Sequence, residues 1–375
     1  MLYRKMKNGE EISILGYGAM RFPMLKNGEI DEVRAEKHIR HAISKGVNYI
    51  DTAKIYHSGK CEAFLGKILS KDGLRDKVRI ATKLPPWQVK EKSDMMRIFN
   101  EQLKDLKTDH IDYYLVHALN GASWKKMKDF GVLRMLDKLL KEGKILNAGF
   151  SFHGNIEHFY QIVDDYDWTF CQIQFNFLDT EYQAGLKGLK YAAEKGISII
   201  VMEPLRGGKL AQNPPDEVKE IYAGSGLDRT PAEWALRWVW NFPEVVTVLS
   251  GMSTYDQVRE NVKTASSAEP SSMTKKELET INKVTKVYKK LSKIGCTGCM
   301  YCLPCPVNVA IPSCFEYYNG LHLYKDEKYR SSYKNFIGDK AKASLCVNCG
   351  QCVEKCPQSL PIPELLKKVA KEFEK

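Results

Sequence analysis

The sequence predicts an α/β chain, a (β/α)8 barrel followed by a small, mainly helical unit, and three observations carry that expectation. Through residue 267, short apolar runs alternate with amphipathic stretches. They make eight strand–helix pairs in about 250 residues, the count and length of such a barrel. Glycine punctuates the pattern: Lys45-Gly46, Glu142-Gly143 and Lys195-Gly196 each place Gly just past a helix and before a strand. Nine of the 11 cysteines lie between Cys296 and Cys356, so the composition changes abruptly near the end. A doubly wound sheet is the competing arrangement, because periodicity alone does not count strands.

In chain order, strands are expected at 12–18, 48–53, 78–84, 111–117, 144–152, 170–176, 198–204 and 245–251. Ser198-Ile-Ile-Val-Met202 is typical of these runs, too short for a helix and rich in β-branched residues. Helices are expected between them at 32–44, 60–69, 92–106, 127–141, 155–163, 182–194, 230–240 and 255–264. Thr230-Pro231 opens one of them with Pro in the first turn. A basic amphipathic helix follows at 274–291. The implied divisions are 1–268 for the barrel, 269–293 for a connecting helix and 294–375 for the cysteine-rich unit.

Composition narrows the function classes. With 43% hydrophobic and 27% charged residues the chain is neither disordered nor collagen-like. No apolar run approaches the roughly 18 residues of a membrane helix, and the first residues lack a secretory apolar region. A cytoplasmic protein without a membrane partner is expected. The formal charge of +11 is spread out, with no block of five basic residues. Such a field suits acidic proteins or phosphate-bearing cofactors better than nucleic acid.

In a barrel, chemistry belongs at the C-terminal ends of the strands. Asp51 ends the second strand, with Tyr56 five residues on; Lys83 ends the third and His117 the fourth. Each alone is ordinarily a cap or a packing residue. Neighbouring strands lie about 4.8 Å apart, so the four converge on one patch. A buried Lys83 needs a counter-charge, which Asp51 supplies. An adjacent ammonium favours the anion of a phenol. Tyr56 could then protonate a carbonyl oxygen receiving a hydride, with His117 aiming that oxygen.

These stretches resemble those of aldo-keto reductases. The matching segments are Leu15-Gly-Tyr-Gly-Ala-Met-Arg21, Asp51-Thr-Ala-Lys-Ile-Tyr56, Ala81-Thr-Lys-Leu84, Tyr114-Leu-Val-His117, Gln172-Ile-Gln174 and Gly251-Met-Ser-Thr-Tyr-Asp-Gln-Val-Arg-Glu-Asn261. The resemblance implies a catalytic tetrad of Asp51, Tyr56, Lys83 and His117, and NADP(H)-dependent reduction of a small aldehyde or ketone, with NADP favoured over NAD. It also implies that Ser151 and Gln172 hold the carboxamide, and that Gly251, Ser253, Gln257 and Asn261 line the adenosine-phosphate end. The chain departs from the pattern in three places. Phe152 follows Ser151 where an Asn is common. Met202 stands where many members stack a Tyr on the nicotinamide. Gly251 and Gln257 replace the Lys and Arg that in many members grip the 2′-phosphate. Arg206, in Glu203-Pro-Leu-Arg-Gly-Gly-Lys209, is a candidate for the pyrophosphate or a solvated loop residue. Phe22, Trp87 and Trp124 are candidates for an aromatic substrate pocket or for packing.

The cysteines form two runs, Cys296-Thr-Gly-Cys299-Met-Tyr-Cys302-Leu-Pro-Cys305-Pro306 and Cys346-Val-Asn-Cys349-Gly-Gln-Cys352-Val-Glu-Lys-Cys356-Pro357. The second has the spacing of bacterial ferredoxins; the first is one residue shorter before its last cysteine. Three thiolates of one run hold a [4Fe-4S] cluster, while the fourth, before Pro, reaches the partner cluster. The expected sets are Cys296, Cys299, Cys302 with Cys356, and Cys346, Cys349, Cys352 with Cys305. Paired zinc sites are the alternative, but zinc gains nothing from two triplets each followed by Cys-Pro. Cys61, Cys171 and Cys314 belong to no motif and are expected to be simple thiols. The unit resembles dicluster ferredoxin domains.

A hydride carries two electrons and each cubane one, which leaves two roles for the clusters: electron transfer, or structural pinning of a domain that shapes the barrel mouth. One function hypothesis is a carbonyl reductase with auxiliary clusters. The other is an electron-transfer protein whose barrel binds a flavin such as FMN, or docks ferredoxin or another acidic redox protein.

Overall fold

The computed structural model describes Met1–Glu374. The first strands, β1 (Tyr3–Lys5) and β2 (Glu11–Ser13), form an antiparallel pair of their own. The eight strands after them close a barrel: β3 (Leu15–Gly18), β4 (Tyr49–Asp51), β5 (Arg79–Leu84), β6 (Ile111–Leu119), β7 (Ile145–Phe152), β8 (Phe170–Gln174), β9 (Ser198–Met202) and β10 (Val245–Ser250). All neighbours are parallel, and β10 returns to β3 through Val248↔Leu15 and Ser250↔Tyr17. The closed ring excludes the doubly wound sheet.

The expected run 12–18 is thus two strands rather than one. Ser13 marks the break: its amide donates to Asn48 Oδ1 and its hydroxyl to the Leu15 carbonyl, so side chains replace the ladder there. Helices follow the barrel strands as α1 (Glu32–Ser44), α2 (Cys61–Leu69), α3 (Lys92–Leu106), α4 (Gly121–Asp129), α5 (Val132–Lys141), α6 (Ile156–Asp164), α7 (Gly185–Glu194), α8 (Asp216–Ala223), α9 (Pro231–Trp240) and α10 (Tyr255–Thr264). The single helix expected at 127–141 is α4 and α5. Gly131, at φ +83°, takes a left-handed conformation that ends one and starts the other. Helix α8 was not anticipated.

Register explains how the strand ends present their side chains. Asp51 pairs with Ala81, and Lys83 lies two residues further along β5. Side chains alternate along a strand, so Asp51 and Lys83 stand on the same face. Along the barrel, Ile12, Tyr49, Ala81, Tyr113, Leu115, Phe170 and Ile200 form one buried apolar cluster.

The chain groups into two compact units, Met1–Pro204 with Ala235–Met273, and Leu205–Trp234 with Thr274–Lys375. This differs from the linear division at 268 and 293, because the chain between β9 and α9 packs with the C-terminal helices. In that second unit α11 (Lys275–Leu291) starts with a capping box, Thr274 Oγ1 accepting from the Glu277 amide and Glu277 Oε2 from the Thr274 amide. Helices α12 (Ile311–Tyr324), α13 (Lys328–Ile337), α14 (Gln351–Glu354) and α15 (Ile362–Phe373) complete it. Ile294, Val309, Phe315, Leu366, Val369 and Phe373 are among its buried core. Helices α12 and α15 each begin six residues after a Cys-Pro and carry Pro at their second position, so the unit repeats one device twice. No helix among the described residues is long and apolar enough to cross a membrane.

Candidate functional site

Lys83 is the centre of the barrel site. It is wholly buried, and its Nζ donates to Asp51 Oδ1 at 2.7 Å, to the Thr52 carbonyl at 2.7 Å and to the Tyr56 hydroxyl at 3.3 Å. An ammonium has three protons to give, and three acceptors surround this one. Burial pulls the Lys83 ammonium down and pushes the Asp51 carboxyl up, and their pairing opposes both shifts. The Tyr56 and His117 rings meet edge to face, with centroids 6.4 Å apart. His117 is buried with Nδ1 unpartnered, and burial, reinforced by the Lys83 charge and by His153, holds its pKa well below that of a free imidazole. It is therefore neutral near pH 7: a group that can orient a polar atom but has no ready proton to give. The structure brings all four tetrad residues together.

Two networks that the sequence did not reveal support the constellation. Behind Lys83, Gln102 Nε2 donates to the Lys83 carbonyl at 3.0 Å and to Glu62 Oε1 at 2.9 Å, and Tyr114 donates to Gln102 Oε1 at 2.9 Å. The signal for Glu62 was an acid inside the otherwise apolar turn Cys61-Glu-Ala-Phe-Leu65. Beside His117 lie the Trp87 ring, 5.1 Å away, and His153, whose Nδ1 is 3.2 Å from Gln183 Oε1. Of the three aromatic residues considered for a pocket, only Trp87 adjoins the tetrad and is half exposed. Phe22 is buried against His57 and Phe64, and Trp124 is buried with its Nε1 donating to Asp165 Oδ2.

Ser151 and Gln172 pair in register at the ends of β7 and β8. Ser151 Oγ accepts from the Ala118 amide at 2.7 Å. Gln172 Nε2 lies 3.5 Å from Met202 Sδ, while its Oε1 is buried without a partner. An orphaned amide oxygen at a strand end is an acceptor waiting for an N–H, which a carboxamide provides; the residues fit a nicotinamide. At the start of α10, Gln257 Oε1 accepts from the Ser253 and Thr254 amides, Ser253 Oγ donates to the Arg21 carbonyl and Asn261 donates to Ser250 Oγ. The Arg21 stem lies against Gly251, where an added Cβ would stand 2.9 Å away, and one Arg21 guanidinium nitrogen is buried without a partner. Arg21 closes the first matching segment, and its place beside Gly251 was not legible there.

In the second unit the cysteines sort by proximity. Burial pushes the Cys302 thiol up to about 12, and the sulfurs that add to this are Cys299, Cys296 and Cys356. Cys352 is raised by burial and then by Cys346, Cys349 and Cys305. Each group of four is one of the expected sets. Cys305, Cys346, Cys349 and Cys352 also line one cavity, together with Cys302 of the first set, Pro304, Val307 and Leu366. A cubane takes one thiolate at each of its four iron corners, and each of the two sets supplies four. Cys61, Cys171 and Cys314 are buried in the cores. Arg206, considered for the pyrophosphate, sits in this unit with Nη2 3.3 Å from where a Cβ on Gly295 would lie.

Comparison with known proteins matches the same two regions. The aldo/keto reductase family model covers residues 14–286, and a 4Fe-4S dicluster domain covers 295–360. Protein tas of Escherichia coli is 26% identical over 325 residues, spanning 70% of this chain and 92% of its own. Probable aldo-keto reductase 1 of Glycine max is 28% identical over 288 residues, 68% of this chain and 81% of its own. Among solved structures, aldo-keto reductase AKR11C1 from Bacillus halodurans in its holo form superposes with a TM-score of 0.64 at 26% identity, covering 76% of this chain and 96% of that one. An aldo-keto reductase from Klebsiella pneumoniae in complex with NADPH, at 23% identity and a TM-score of 0.60, shares the fold over 76% of this chain and 96% of its own. With the family's match running over most of its length, the chain belongs to the aldo/keto reductase family of oxidoreductases, and a 4Fe-4S dicluster domain follows its barrel.

Proposed function

We propose that the chain uses NADPH to reduce a small aldehyde or ketone, with Tyr56 as general acid, and that two [4Fe-4S] clusters in the cysteine sets carry single electrons to or from an acidic redox protein. One observation carries the first part: a buried Lys83 ammonium bridges the Asp51 carboxylate and the Tyr56 hydroxyl. When bound, NADPH supplies the hydride to the carbonyl carbon. Tyr56 gives its proton to the carbonyl oxygen, and carbonyl, hydride and proton together make the alcohol. Lys83 stabilises the phenolate that Tyr56 becomes, and Asp51 keeps Lys83 charged in a site that water does not reach. His117, neutral through the physiological range, orients the oxygen. Ser151 and Gln172 would hold the carboxamide, and Met202, beside Gln172, would face the nicotinamide. Arg21, with Ser253, Gln257 and Asn261 around Gly251, serves the adenosine-phosphate end and supplies the cation that Gly251 and Gln257 lack. The comparisons lend FMN no support. A reducing, cytoplasmic setting suits thiolate-held clusters.

Tyr56→Phe tests the reading. It should retain cofactor binding and lose roughly 10²–10⁴ in kcat, the usual worth of a positioned proton donor. An unaltered kcat would remove Tyr56 from the role.

A further inference from the structure

Leu205–Trp234 is chain that leaves a barrel strand, yet it packs as part of the cysteine unit. Its first turn is unusual. Arg206, Gly207 and Gly208 all have positive φ, at +51°, +69° and +92°. Three left-handed residues in a row are tolerated because two are glycine, and Arg206 takes a conformation that costs a residue with a Cβ. This conformation delivers two cations to one place. Lys209 Nζ donates to the carbonyl of Cys296 at 2.6 Å. The Arg206 guanidinium lies against Gly295, the residue just before. Cys296 belongs to the set completed by Cys299, Cys302 and Cys356. The cavity lined by all four cysteines of the other set, and by Cys302 of this one, has Pro304, Pro306, Val307, Ile311, Gln351 and Leu366 in its wall and no Lys or Arg, and Cys349 is exposed.

We infer that Lys209 and Arg206 make the two clusters unequal, and that the cluster held by Cys296, Cys299, Cys302 and Cys356 has the higher reduction potential. The inference rests on the two-cluster reading above. Reduction adds one electron and no atom to a cluster that is already anionic. A fixed positive charge nearby stabilises the reduced form more than the oxidised one. Half-buried Lys209 keeps its charge close to the ligand loop, where solvent screens it less than at the surface. An electron entering at the exposed set from a one-electron donor then passes downhill to the Cys296 set: the first cluster loses the electron that the second gains.

The test is a reductive titration of the full-length, cluster-loaded protein with dithionite, followed by electron paramagnetic resonance and accompanied by iron and sulfide analysis. Cys349→Ser assigns the signals, because the signal that survives in it belongs to the Cys296 set. Lys209→Gln keeps an N–H for the Cys296 carbonyl and removes the charge; Lys209→Arg keeps both. The expected result is a lower midpoint for the Cys296-set signal in Lys209→Gln, no shift in the other signal, and recovery in Lys209→Arg. Unchanged midpoints in a fully loaded Lys209→Gln, or equal shifts of both signals, would overturn the inference. So would a wild-type Cys296-set signal that reduces last. A wild-type protein with no acid-labile sulfide would instead remove the two-cluster reading on which it stands.

Discussion

Replacing Lys83 by Met leaves a buried carboxylate with nothing to balance it. Lys83 and Asp51 are 0% and 3% exposed at their side chains and 2.7 Å apart, and Asp51 Oδ2 has no partner. Removing one member of such a pair costs about 3–5 kcal/mol, because the survivor stays buried and charged. For a barrel of this size that lowers the melting temperature on the order of 10 °C. The loss should be recoverable. In Lys83→Met/Asp51→Asn neither charge remains, and the double variant should melt above Lys83→Met alone. The pH dependence follows from the same residue. Burial already raises Asp51 with Lys83 beside it, and without the ammonium nothing opposes that rise. A carboxyl whose folded pKa exceeds its unfolded value near 3.9 adds stability that is complete below 3.9 and fades as pH climbs through the folded value. The deficit of Lys83→Met relative to the parent should therefore shrink between pH 7.5 and pH 4.5. Circular-dichroism melts of the parent, Lys83→Met, Asp51→Asn and the double variant at both values provide the measurement. Additive losses, with a deficit independent of pH, would refute the view that Lys83 and Asp51 act as one buried pair.

Other expectations follow from single contacts. Gln172→Ala should weaken NADPH binding about tenfold in fluorescence titration, since one amide hydrogen bond of this kind is worth about 1 kcal/mol or slightly more. Iron and sulfide analysis should give about eight of each per chain, and stoichiometric zinc without sulfide would sink the cluster assignment. Burial lowers His153 to about 4, so the unfolded chain takes up its proton first as pH falls below 6.5. Its contribution is complete above pH 6.5 and lost on the way to 4. His153→Gln should flatten acid destabilisation over that window by on the order of 1 kcal/mol, as the ring is partly exposed. Half-exposed Trp87 against His117 predicts that Trp87→Ala raises KM for bulky carbonyls with little change in melting temperature.

The barrel was legible because parallel strands are buried on both faces and leave uninterrupted apolar runs, each followed by a helix and three of those helices by a Gly. The tetrad was legible because Asp51, Lys83 and His117 are polar residues at the ends of such runs. Partnerships made across space were not. Gln102 reads as an ordinary polar position in α3, and only the fold shows it touching the Lys83 carbonyl. Ser13 interrupts 12–18 through a hydrogen bond to Asn48, 35 residues away. Helix α8 and the packing of Leu205–Trp234 with the cysteine unit depend on tertiary contacts that no local period records. The twin Cys-Pro devices before α12 and α15 were present in the sequence and visible as motifs, but their equal six-residue spacing to a helix acquires meaning only beside the helices.

The placement of Leu205–Trp234 bears on what the clusters are for. A unit of this size draws folding energy from its metal, so losing both clusters should loosen the whole of it, including the stretch between β9 and α9. That stretch is covalently continuous with Met202 and with Ala235 of the barrel. Cluster loss then perturbs carbonyl reduction whether the clusters carry electrons or merely hold the fold, and an inactive cysteine variant cannot separate the two roles. A change that leaves both clusters in place and alters only charge can. A staple requires the Lys209 hydrogen bond to Cys296 but is indifferent to the ammonium. A wire depends on the ammonium, because the order of the two potentials sets the direction of flow. If Lys209→Gln is fully loaded, melts like the parent and exchanges electrons more slowly with a one-electron donor, the clusters are a wire. If it differs in nothing, Lys209 does not order the two potentials, and the Arg206-Gly207-Gly208 turn is there to hold the loop.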